Sequence, residues 1–413
     1  MKNTKYDLVI MGATGFTGKL IVEYLLENYG LRNDKFSWAI AGRNENKIKI
    51  LKKSLVDYGS DVENIPVFLV DSFDEKSIDE MTSKCRLVIT TVGPYLKYGH
   101  LLVKSCARNG THYCDLTGEV PFIKESIDQC DKIAKKNNCR IIHSCGFDSI
   151  PSDIGVLLLQ NEAIKKFGKP FNEIKLYVRG MRGGFSGGTI HSMFNIYEYV
   201  KSRKDLQKAL GDPYSLIPKT KLPSVASKPG LRSIKWDNDI MRWVCPFAMA
   251  GINTKIVRRS NGILNNYYGN TFQYSEVFSF RRGIGGYIKA LTMFVGLAIF
   301  KIALKIRPLS YILKNIFLPQ PGQGPSRKDR ENGYFKIEIV GFENSTKKLG
   351  LIIEGDSDAG YSGTAKMITE SALSILLNER DIPKTAGVLT TASGIGETVA
   401  KRLKSNGITF DFN

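Results

Sequence analysis

Residues 1–146 alternate short apolar runs with stretches in which apolar residues recur every three or four positions. The first run, 8–11, is apolar at every position, as in a strand that is buried on both faces of a sheet. Further strand-like runs lie at 36–43, 67–71, 86–93, 111–118 and 139–146, and helical patterns lie between them at 45–58, 74–83, 99–109 and 119–137. This alternation predicts an α/β fold with a doubly wound parallel sheet.

The pattern changes beyond Pro151. Strand-like segments at 173–181, 334–342 and 348–356 lie among longer irregular stretches, and 204–235 has no clear periodicity. Helical spacing returns at 361–377 and 394–403. We therefore predict a first domain over 1–150, an α+β substrate and dimerisation domain over 151–355, and C-terminal helices over 356–413 that pack back on the first domain.

Three glycines, Gly12, Gly15 and Gly18, separate the first strand from the first helical pattern. A strand-to-helix turn of this kind directs free amide hydrogens and the positive end of the helix dipole at a pyrophosphate. A purely structural tight turn is the alternative. Because the strand, the turn and the helix all fit, the sequence favours a Rossmann-type dinucleotide-binding domain.

The second strand ends at Arg43, where NAD-specific sites usually carry a carboxylate. A guanidinium at this place favours a 2′-phosphate, so we predict NADP(H) as the cofactor, with a solvated arginine as the alternative. Asp71 ends the third strand and is a candidate for adenine contact or for a helix cap. In the loop 92–99, Gly93 and Pro94 let the backbone approach a nicotinamide ribose.

Reduction by a nicotinamide cofactor usually requires a proton donor in the protein. Tyr95 and Tyr98 are candidate donors in the loop after the fourth strand, although each is also compatible with a core or lid position. Asp148 is a candidate catalytic or substrate-contacting group. The alternative for Asp148 is a turn residue before a helix that Ser152 or Asp153 caps.

The chain has 413 residues, a net charge of +19 and seven scattered cysteines without a Cys-x-x-Cys pair. These cysteines suggest no disulfide framework, the histidines have no metal-ligand spacing, and we predict no metal. The first strand begins almost at the N-terminus, which leaves no room for a cleavable signal. We expect a cytoplasmic protein, with contact to a membrane or lipid surface as a possibility.

The positive charge is concentrated in residues 251–330, which hold 13 lysines and arginines against two acids, Glu276 and Asp329. This region includes an apolar, basic segment at 284–318, whose longest nearly uninterrupted run, 290–300, is about 16 Å long as a helix and too short to cross a bilayer. The sequence has no nucleic-acid motif, so we predict peripheral contact with an anionic membrane or lipid surface. A buried helix or a homodimer contact is the alternative.

Seven motifs, in order, resemble the saccharopine dehydrogenase-like oxidoreductases, and most of all the trans-acting enoyl reductases. They are GATGFTG, AGR, GPYLKYG, HYCDLTGE, CGFDSIPSD, GQGPSRKDR and GYSGTAKMITESAL. The resemblance spans nearly the whole chain. It implies an NADP-binding Rossmann domain, and the residues that match the cofactor motif are Gly12, Thr14, Gly15, Phe16, Thr17, Gly18 and Arg43.

The resemblance also implies reduction of a carbon–carbon double bond in a long-chain lipid or polyketide intermediate. Two alternatives stay open: a saccharopine dehydrogenase-type reaction at a carbon–nitrogen bond of an amino acid, and a lipid-surface protein that keeps the nucleotide fold without turnover. Two residues depart from the expected pattern. Ala359 and Thr391 stand where proline is expected, which loosens the match in substrate.

Overall fold

The computed structural model describes residues 4–183, 187–306, 324–343 and 346–413. With strands numbered in chain order, the first sheet consists of β1 (Tyr6–Met11), β2 (Trp38–Gly42), β3 (Val67–Leu69), β4 (Cys85–Thr90), β5 (His112–Asp115), β6 (Arg140–Ile142) and β13 (Gly387–Leu389). Its order is β13-β6-β5-β4-β1-β2-β3, and all its neighbouring strands are parallel. The predicted doubly wound parallel sheet is therefore confirmed.

The second sheet consists of β7 (Glu173–Arg182), β8 (Lys235–Asp237), β9 (Arg242–Pro246), β10 (Gln273–Phe280), β11 (Tyr334–Glu343), β12 (Thr346–Gly355) and β14 (Ile408–Phe412). Its order is β14-β12-β11-β7-β10-β9-β8. β7 and β10 are parallel, whereas the other neighbouring strands are antiparallel. This mixed sheet confirms the predicted α+β character of the second part.

The α-helices, numbered in chain order within the described residues, connect and cover the two sheets. They are α1 (Phe16–Tyr29), α2 (Glu45–Lys53), α3 (Glu75–Ser83), α4 (Tyr95–Tyr98), α5 (His100–Asn109), α6 (Val120–Lys136), α7 (Ile150–Phe167), α8 (Gly187–Val200), α9 (Lys204–Gly211), α10 (Ala250–Ile263), α11 (Ile284–Lys305), α12 (Arg327–Glu331), α13 (Thr364–Leu377), α14 (Thr391–Gly394) and α15 (Thr398–Lys404). Single helical turns lie at Val56–Tyr58, Ser60–Asn64, Lys219–Lys221 and Ala359–Gly363.

Helix α7 joins the two sheets and packs directly on the second one. A β-carbon at its Gly155 would lie 2.3 Å from Cδ1 of Ile339 in β11 and 2.8 Å from Cδ1 of Ile353 in β12. The helix and strands therefore approach each other more closely than any residue with a side chain allows. This close contact fixes the position of the loop between β6 and α7 relative to both sheets.

Several elements differ from the sequence-based expectation. The segment 204–235, expected to be irregular, contains α9, and α2 ends at Lys53 instead of continuing to 58. The C-terminal segment, expected to be helical, also contributes β13 to the first sheet and β14 to the second. These two short strands carry no periodicity of their own, because their partners in the sheet define them. The predicted domain boundaries stay predictions.

Candidate functional site

The glycine turn connects β1 to α1. The Gly15 amide donates to the carbonyl of Gly12 at 2.9 Å, and Gly15 is the N-terminal cap residue of α1, with no side chain that caps the helix. The first turn of α1 carries no acidic residue. The amide groups at the start of α1 therefore lack a side-chain acceptor and a competing carboxylate, as an anion site at a helix N-terminus requires.

Glycine is present at these three positions for different structural reasons. Gly12 has φ +89°, and a β-carbon there would lie 2.8 Å from both Thr91 and Val92. At Gly18 a β-carbon would lie 2.1 Å from the Gly12 carbonyl oxygen, so the turn itself requires glycine. Gly15 has ordinary φ, and a β-carbon there would meet only that oxygen, at 3.3 Å. Packing therefore explains Gly12 and Gly18, while Gly15 fits the close approach of a phosphate group.

The loops after β1 and β4 lie side by side, because these strands are neighbours although their connections run to opposite sides of the sheet. The Thr91 hydroxyl donates to the Gly12 carbonyl at 3.2 Å. Gly93 and Pro94 follow in the same loop, with Gly93 exposed. This is the topological switch point at which open parallel sheets bind their ligands. The glycine turn and the loop 91–94 thus form one crevice.

Arg43 follows β2 directly and is exposed. A β-carbon at Gly42 would lie 3.9 Å from the Thr14 methyl group, so the end of β2 adjoins the glycine turn. Within the described part of the chain, no carboxylate forms an ion pair with Arg43. Its guanidinium is therefore available to a 2′-phosphate, and together with the open Gly15 it shows that the residues present fit NADP.

The structure also shows the positions of three other residues that were predicted to contact the cofactor: Asp71, Phe16 and Thr17. Asp71 accepts a hydrogen bond from the Phe73 amide at 2.9 Å, and the cap of α3 is Asp74, so the predicted helix-cap alternative for Asp71 is wrong. The Phe16 ring lies 4.8 Å from the Tyr361 ring and therefore packs against the C-terminal segment. Thr17 lies in the first turn of α1 and is partly exposed.

Tyr95 is buried, and its hydroxyl is bound to the main chain. It donates to the Thr90 carbonyl and accepts from the Leu116 amide, each at 3.2 Å. Burial raises the pKa of the Tyr95 phenol well above its usual value. The hydroxyl therefore ties the carboxyl ends of β4 and β5 together. This position supports the core alternative for Tyr95 over proton donation.

Glu119 is a site residue that the sequence analysis missed. Its carboxylate accepts from the Tyr95 amide at 3.0 Å, the Leu96 amide at 2.8 Å and the Ser192 hydroxyl at 2.8 Å. The residue is fully buried, and desolvation raises the pKa of its carboxyl group. Glu119 thus fixes the start of α4 and links it to α8. The sequence signal was its position directly before a helix that begins with Val120-Pro121.

A second buried network lies at the ends of β5 and β6. Asp115 accepts from the Tyr113 hydroxyl at 2.8 Å and lies 2.7 Å from Nδ1 of His143. The other ring nitrogen, Nε2, lies 2.9 Å from Oγ of Ser126. All four side chains are at most 2% exposed. The network therefore braces the loops at the sheet edge from within.

Asp148 lies in the loop between β6 and α7, between the two sheets. The neighbouring Phe147 ring lies 4.9 Å from the Phe335 ring of β11, and the Phe147 amide donates to the Thr364 hydroxyl at 3.1 Å. Among the described residues, none forms a hydrogen bond or ion pair with the Asp148 carboxyl group. Although part of the residue remains exposed, burial raises the pKa of this carboxyl group to about 6.

The loop that contains Asp148 adjoins the rest of the crevice. A β-carbon at Gly146 would lie 3.0 Å from Leu116, whose amide binds the Tyr95 hydroxyl. The structure thus brings together the loops after β4, β5 and β6. Ser149 is the N-terminal cap residue of α7, but its hydroxyl donates to Asn253 of α10 at 3.2 Å instead of binding an amide of the helix.

The two predicted caps, Ser152 and Asp153, lie inside α7 and therefore do not cap it. Asp153 is fully buried and accepts from the Thr391 hydroxyl and the Ala392 amide, each at 2.8 Å. Thr391 therefore makes a hydrogen bond that the expected proline could not make. The other departure, Ala359, is buried at the start of the helical turn before α13. Both departures are thus accommodated in buried positions.

Comparison with known proteins agrees with this geometry. Residues 8–142 match the family model of the saccharopine dehydrogenase NADP binding domain. A trans-acting enoyl reductase of Mycobacterium ulcerans (strain Agy99) is 31% identical over 414 residues, which cover 98% of this chain and 97% of that protein. A protein of Mycobacterium tuberculosis (strain H37Rv), to which the name trans-acting enoyl reductase is given provisionally, is 35% identical over 416 residues, which cover 98% of this chain and 97% of that protein.

Among solved structures, the saccharopine dehydrogenase (L-Glu forming) of Saccharomyces cerevisiae matches with a TM-score of 0.52 and 12% identity, over 99% of this chain and 100% of that one. At this identity the likeness concerns the fold alone. The family model and the crevice agree on NADP as the cofactor of an oxidoreductase. The chain therefore belongs to the saccharopine dehydrogenase-like oxidoreductases and, among them, to the trans-acting enoyl reductase family.

Proposed function

We propose that the protein reduces a carbon–carbon double bond conjugated to a carbonyl group in a long-chain acyl or polyketide intermediate. The observation that carries this proposal is the Asp148 carboxyl group, which has no partner among the described residues, lies at the edge of the cofactor crevice and has its pKa raised to about 6. A carboxylic acid in this state is suited to proton donation near neutral pH. Asp148 is therefore the proposed proton donor.

The chain supplies the binding site and the proton. The start of α1 and Arg43 hold the phosphate groups of the cofactor. NADPH bound there would supply a hydride for the β-carbon of the double bond. Protonated Asp148 gives its proton to the α-carbon, so one hydride and one proton together saturate the bond. The carboxylate then takes up a proton from solvent before the next turnover.

The surroundings of the crevice favour an apolar substrate. A β-carbon at Gly118, in the loop after β5, would lie 3.8 Å from the Met249 methyl group, and the buried rings of Phe147 and Phe335 pack 4.9 Å apart beside Asp148. An amino-acid substrate such as saccharopine would require several cations in this place. Helix α10, which contacts the start of α7 through Asn253, carries three basic residues, but these are already bound within the fold.

The three basic residues of α10 are buried and bound to main-chain carbonyl groups. Lys255 binds the carbonyl of Asp212, and Arg259 binds those of Leu216 and Val388. Arg258 donates to the Tyr274 carbonyl at 3.1 Å. They tie α10 to β10 of the second sheet, to the loop after α9 and to β13 of the first sheet, and therefore do not serve as substrate cations.

The test is oxidation of NADPH by the purified protein with a panel of enoyl thioesters and enoyl lipids of increasing chain length, beside saccharopine. We expect turnover of the long enoyl compounds and a loss of at least about a hundredfold in kcat for Asp148→Asn, as for removal of a general acid. The matched control is Asp411→Asn, at an exposed position on β14. Turnover of saccharopine alone, or an unchanged kcat in Asp148→Asn, would contradict the proposal.

The proposal also concerns location and assembly. It places the protein in the cytoplasm at the surface of a membrane or lipid body, where long acyl substrates reside. Fractionation of cells that express the chain checks the location, and sedimentation checks for a homodimer.

A further inference from the structure

Helix α11 presents an apolar face to solvent along its whole length. Seven side chains that recur every three or four positions are between 40% and 81% exposed: Ile284, Ile288, Leu291, Val295, Ile299, Ile302 and Ile306. Only 11% of its most apolar stretch is buried. A surface helix of a water-soluble protein has polar residues on this face. We name these seven residues the outer stripe.

The length of α11 corrects the sequence-based argument. The helix runs over 22 residues, so it is about 33 Å long at about 1.5 Å per residue, against about 30 Å of bilayer hydrocarbon. Its length and composition alone would therefore allow it to cross a membrane. Residues 307–318, the rest of the predicted apolar segment, lie outside the described residues. The exposed stripe also rules out the buried-helix alternative.

Packing shows how α11 lies on the molecule. Near its start, the Tyr287 ring lies 5.0 Å from the Trp243 ring of β9. Near its end, the Phe300 ring lies 6.1 Å from the Phe194 ring of α8. Both halves are thus held against the body of the protein. A helix in this position meets a bilayer in its plane, because crossing would require both contacts to separate.

The exposed charged residues of α11 and of the turn before it are all positive. Arg281 and Arg282 precede the helix, and Lys289 and Lys301 are exposed within it. At about 100° per residue, Lys289 and Lys301 lie on opposite flanks of the outer stripe, roughly 120° from its centre. The sequence has no acid between Glu276 and Asp329. The three cations of α10 do not add to this charge, since they are buried and act within the fold.

We infer that α11 docks in the plane of an anionic phospholipid bilayer, with the outer stripe among the acyl chains of one leaflet and the flanking cations at the head groups. Apolar side chains below and cations at the level of the phosphates are the arrangement by which in-plane helices bind anionic membranes. A second copy of the chain fits less well, because two such surfaces would bring like charges together. The inference is independent of the proposed reaction.

Flotation with vesicles tests the docking. The full-length protein should float with mixed phosphatidylcholine–phosphatidylserine vesicles, bind less to phosphatidylcholine alone, and dissociate as salt increases. Ile288→Ser/Leu291→Ser/Val295→Ser should weaken the partition coefficient by at least about tenfold, since these side chains are exposed and their replacement leaves the core intact. The matched control, Ile50→Ser/Val56→Ser/Leu69→Ser, changes three exposed apolar residues elsewhere and should bind as the unmodified protein does.

A fluorescent probe tests the geometry. All seven native cysteines are buried, so a polarity-sensitive dye can be attached selectively at Val295→Cys or, as the control, at Ile50→Cys. Emission from position 295 should shift to the blue with anionic vesicles, and shallow quenchers should act more strongly than quenchers at the bilayer centre. Emission from position 50 should not change.

Three results would overturn the inference. The first is an unmodified protein that stays with the soluble fraction at low salt. The second is equal flotation of the stripe variant and its control. The third is an outer stripe that mediates self-association, shown by a dimer of the unmodified protein that becomes monomeric in the stripe variant without any binding to vesicles.

Discussion

Asp148 gives a prediction in which stability and activity change in opposite directions. Burial without a partner raises the pKa of its carboxyl group from the usual 3.8 to about 6. The folded state therefore disfavours the ionised form. The stability associated with the protonated carboxyl group is fully present below about pH 3.8 and is lost as the pH rises through about 6. Near neutral pH, the ionised group destabilises the native protein.

The magnitude follows from the size of the shift. A change from 3.8 to about 6 corresponds to about 3 kcal/mol at about 1.4 kcal/mol per unit, and the partial exposure of the residue makes this an upper value. Asp148→Asn removes the charge and keeps the shape. At about 2.1 cal/mol/K per residue, about 3 kcal/mol raises the melting temperature of a cooperatively unfolding chain of 413 residues by about 3 °C.

The predicted effect of Asp148 on stability is checked by thermal unfolding of Asp148→Asn and of the unmodified protein from about pH 4 to about pH 8. The two melting temperatures should be similar near pH 4, the variant should become progressively the more stable one between about pH 4 and about pH 6, and the difference should stay constant above about pH 6. In turnover assays, kcat of the unmodified protein should fall above about pH 6, where the proton donor ionises. A variant with unchanged stability at neutral pH, or a variant that keeps this decline in kcat, would refute the reasoning.

Three further substitutions test the cofactor site and the core. Gly15→Val should abolish NADPH binding, measured by fluorescence titration, in a protein that circular dichroism shows to be folded. Gly18→Ala, in contrast, should also destabilise the fold. Normal NADPH binding by folded Gly15→Val would make the turn purely structural. Arg43→Ala should weaken NADPH binding by about tenfold to a hundredfold and leave NADH binding nearly unchanged; equal affinity of the unmodified protein for both cofactors would contradict the role of Arg43. Tyr95→Phe should lower the free energy of unfolding by about 1–3 kcal/mol, because the Leu116 amide loses its acceptor, with little change in kcat; a large loss of kcat without loss of stability would restore Tyr95 as a donor.

The local sequence pattern was sufficient to predict the first sheet and its glycine turn. An apolar run such as 8–11, a glycine turn and a helical repeat lie next to each other in sequence, so each is readable without knowledge of its neighbours in space. The residue at the end of β2, Arg43, was found for the same reason, since a Rossmann-type sheet places that position at the ribose. Family resemblance then supplied the reaction, which the comparisons support only as far as the oxidoreductase family.

The roles of single polar side chains depended on tertiary structure. From the sequence, Tyr95 was a candidate proton donor and Asp148 a candidate catalytic or substrate-contacting group, yet the Tyr95 hydroxyl binds two main-chain groups while no described residue binds the Asp148 carboxyl group. Glu119 could not be chosen among the 40 acidic residues of the chain until its three donors were assembled around it. Hydrogen-bond partners far apart in sequence decide these roles.

The same distinction applies to the basic, apolar region. The sequence by itself determined that residues 251–330 are strongly cationic and that a long apolar segment lies among them. Only the tertiary structure showed that Arg258 and Arg259 are buried and bind main-chain carbonyl groups, whereas Lys289 and Lys301 flank an exposed apolar face. Composition fixes which charges a segment contains, but packing decides which of them reach the solvent, because burial depends on contacts between distant parts of the chain.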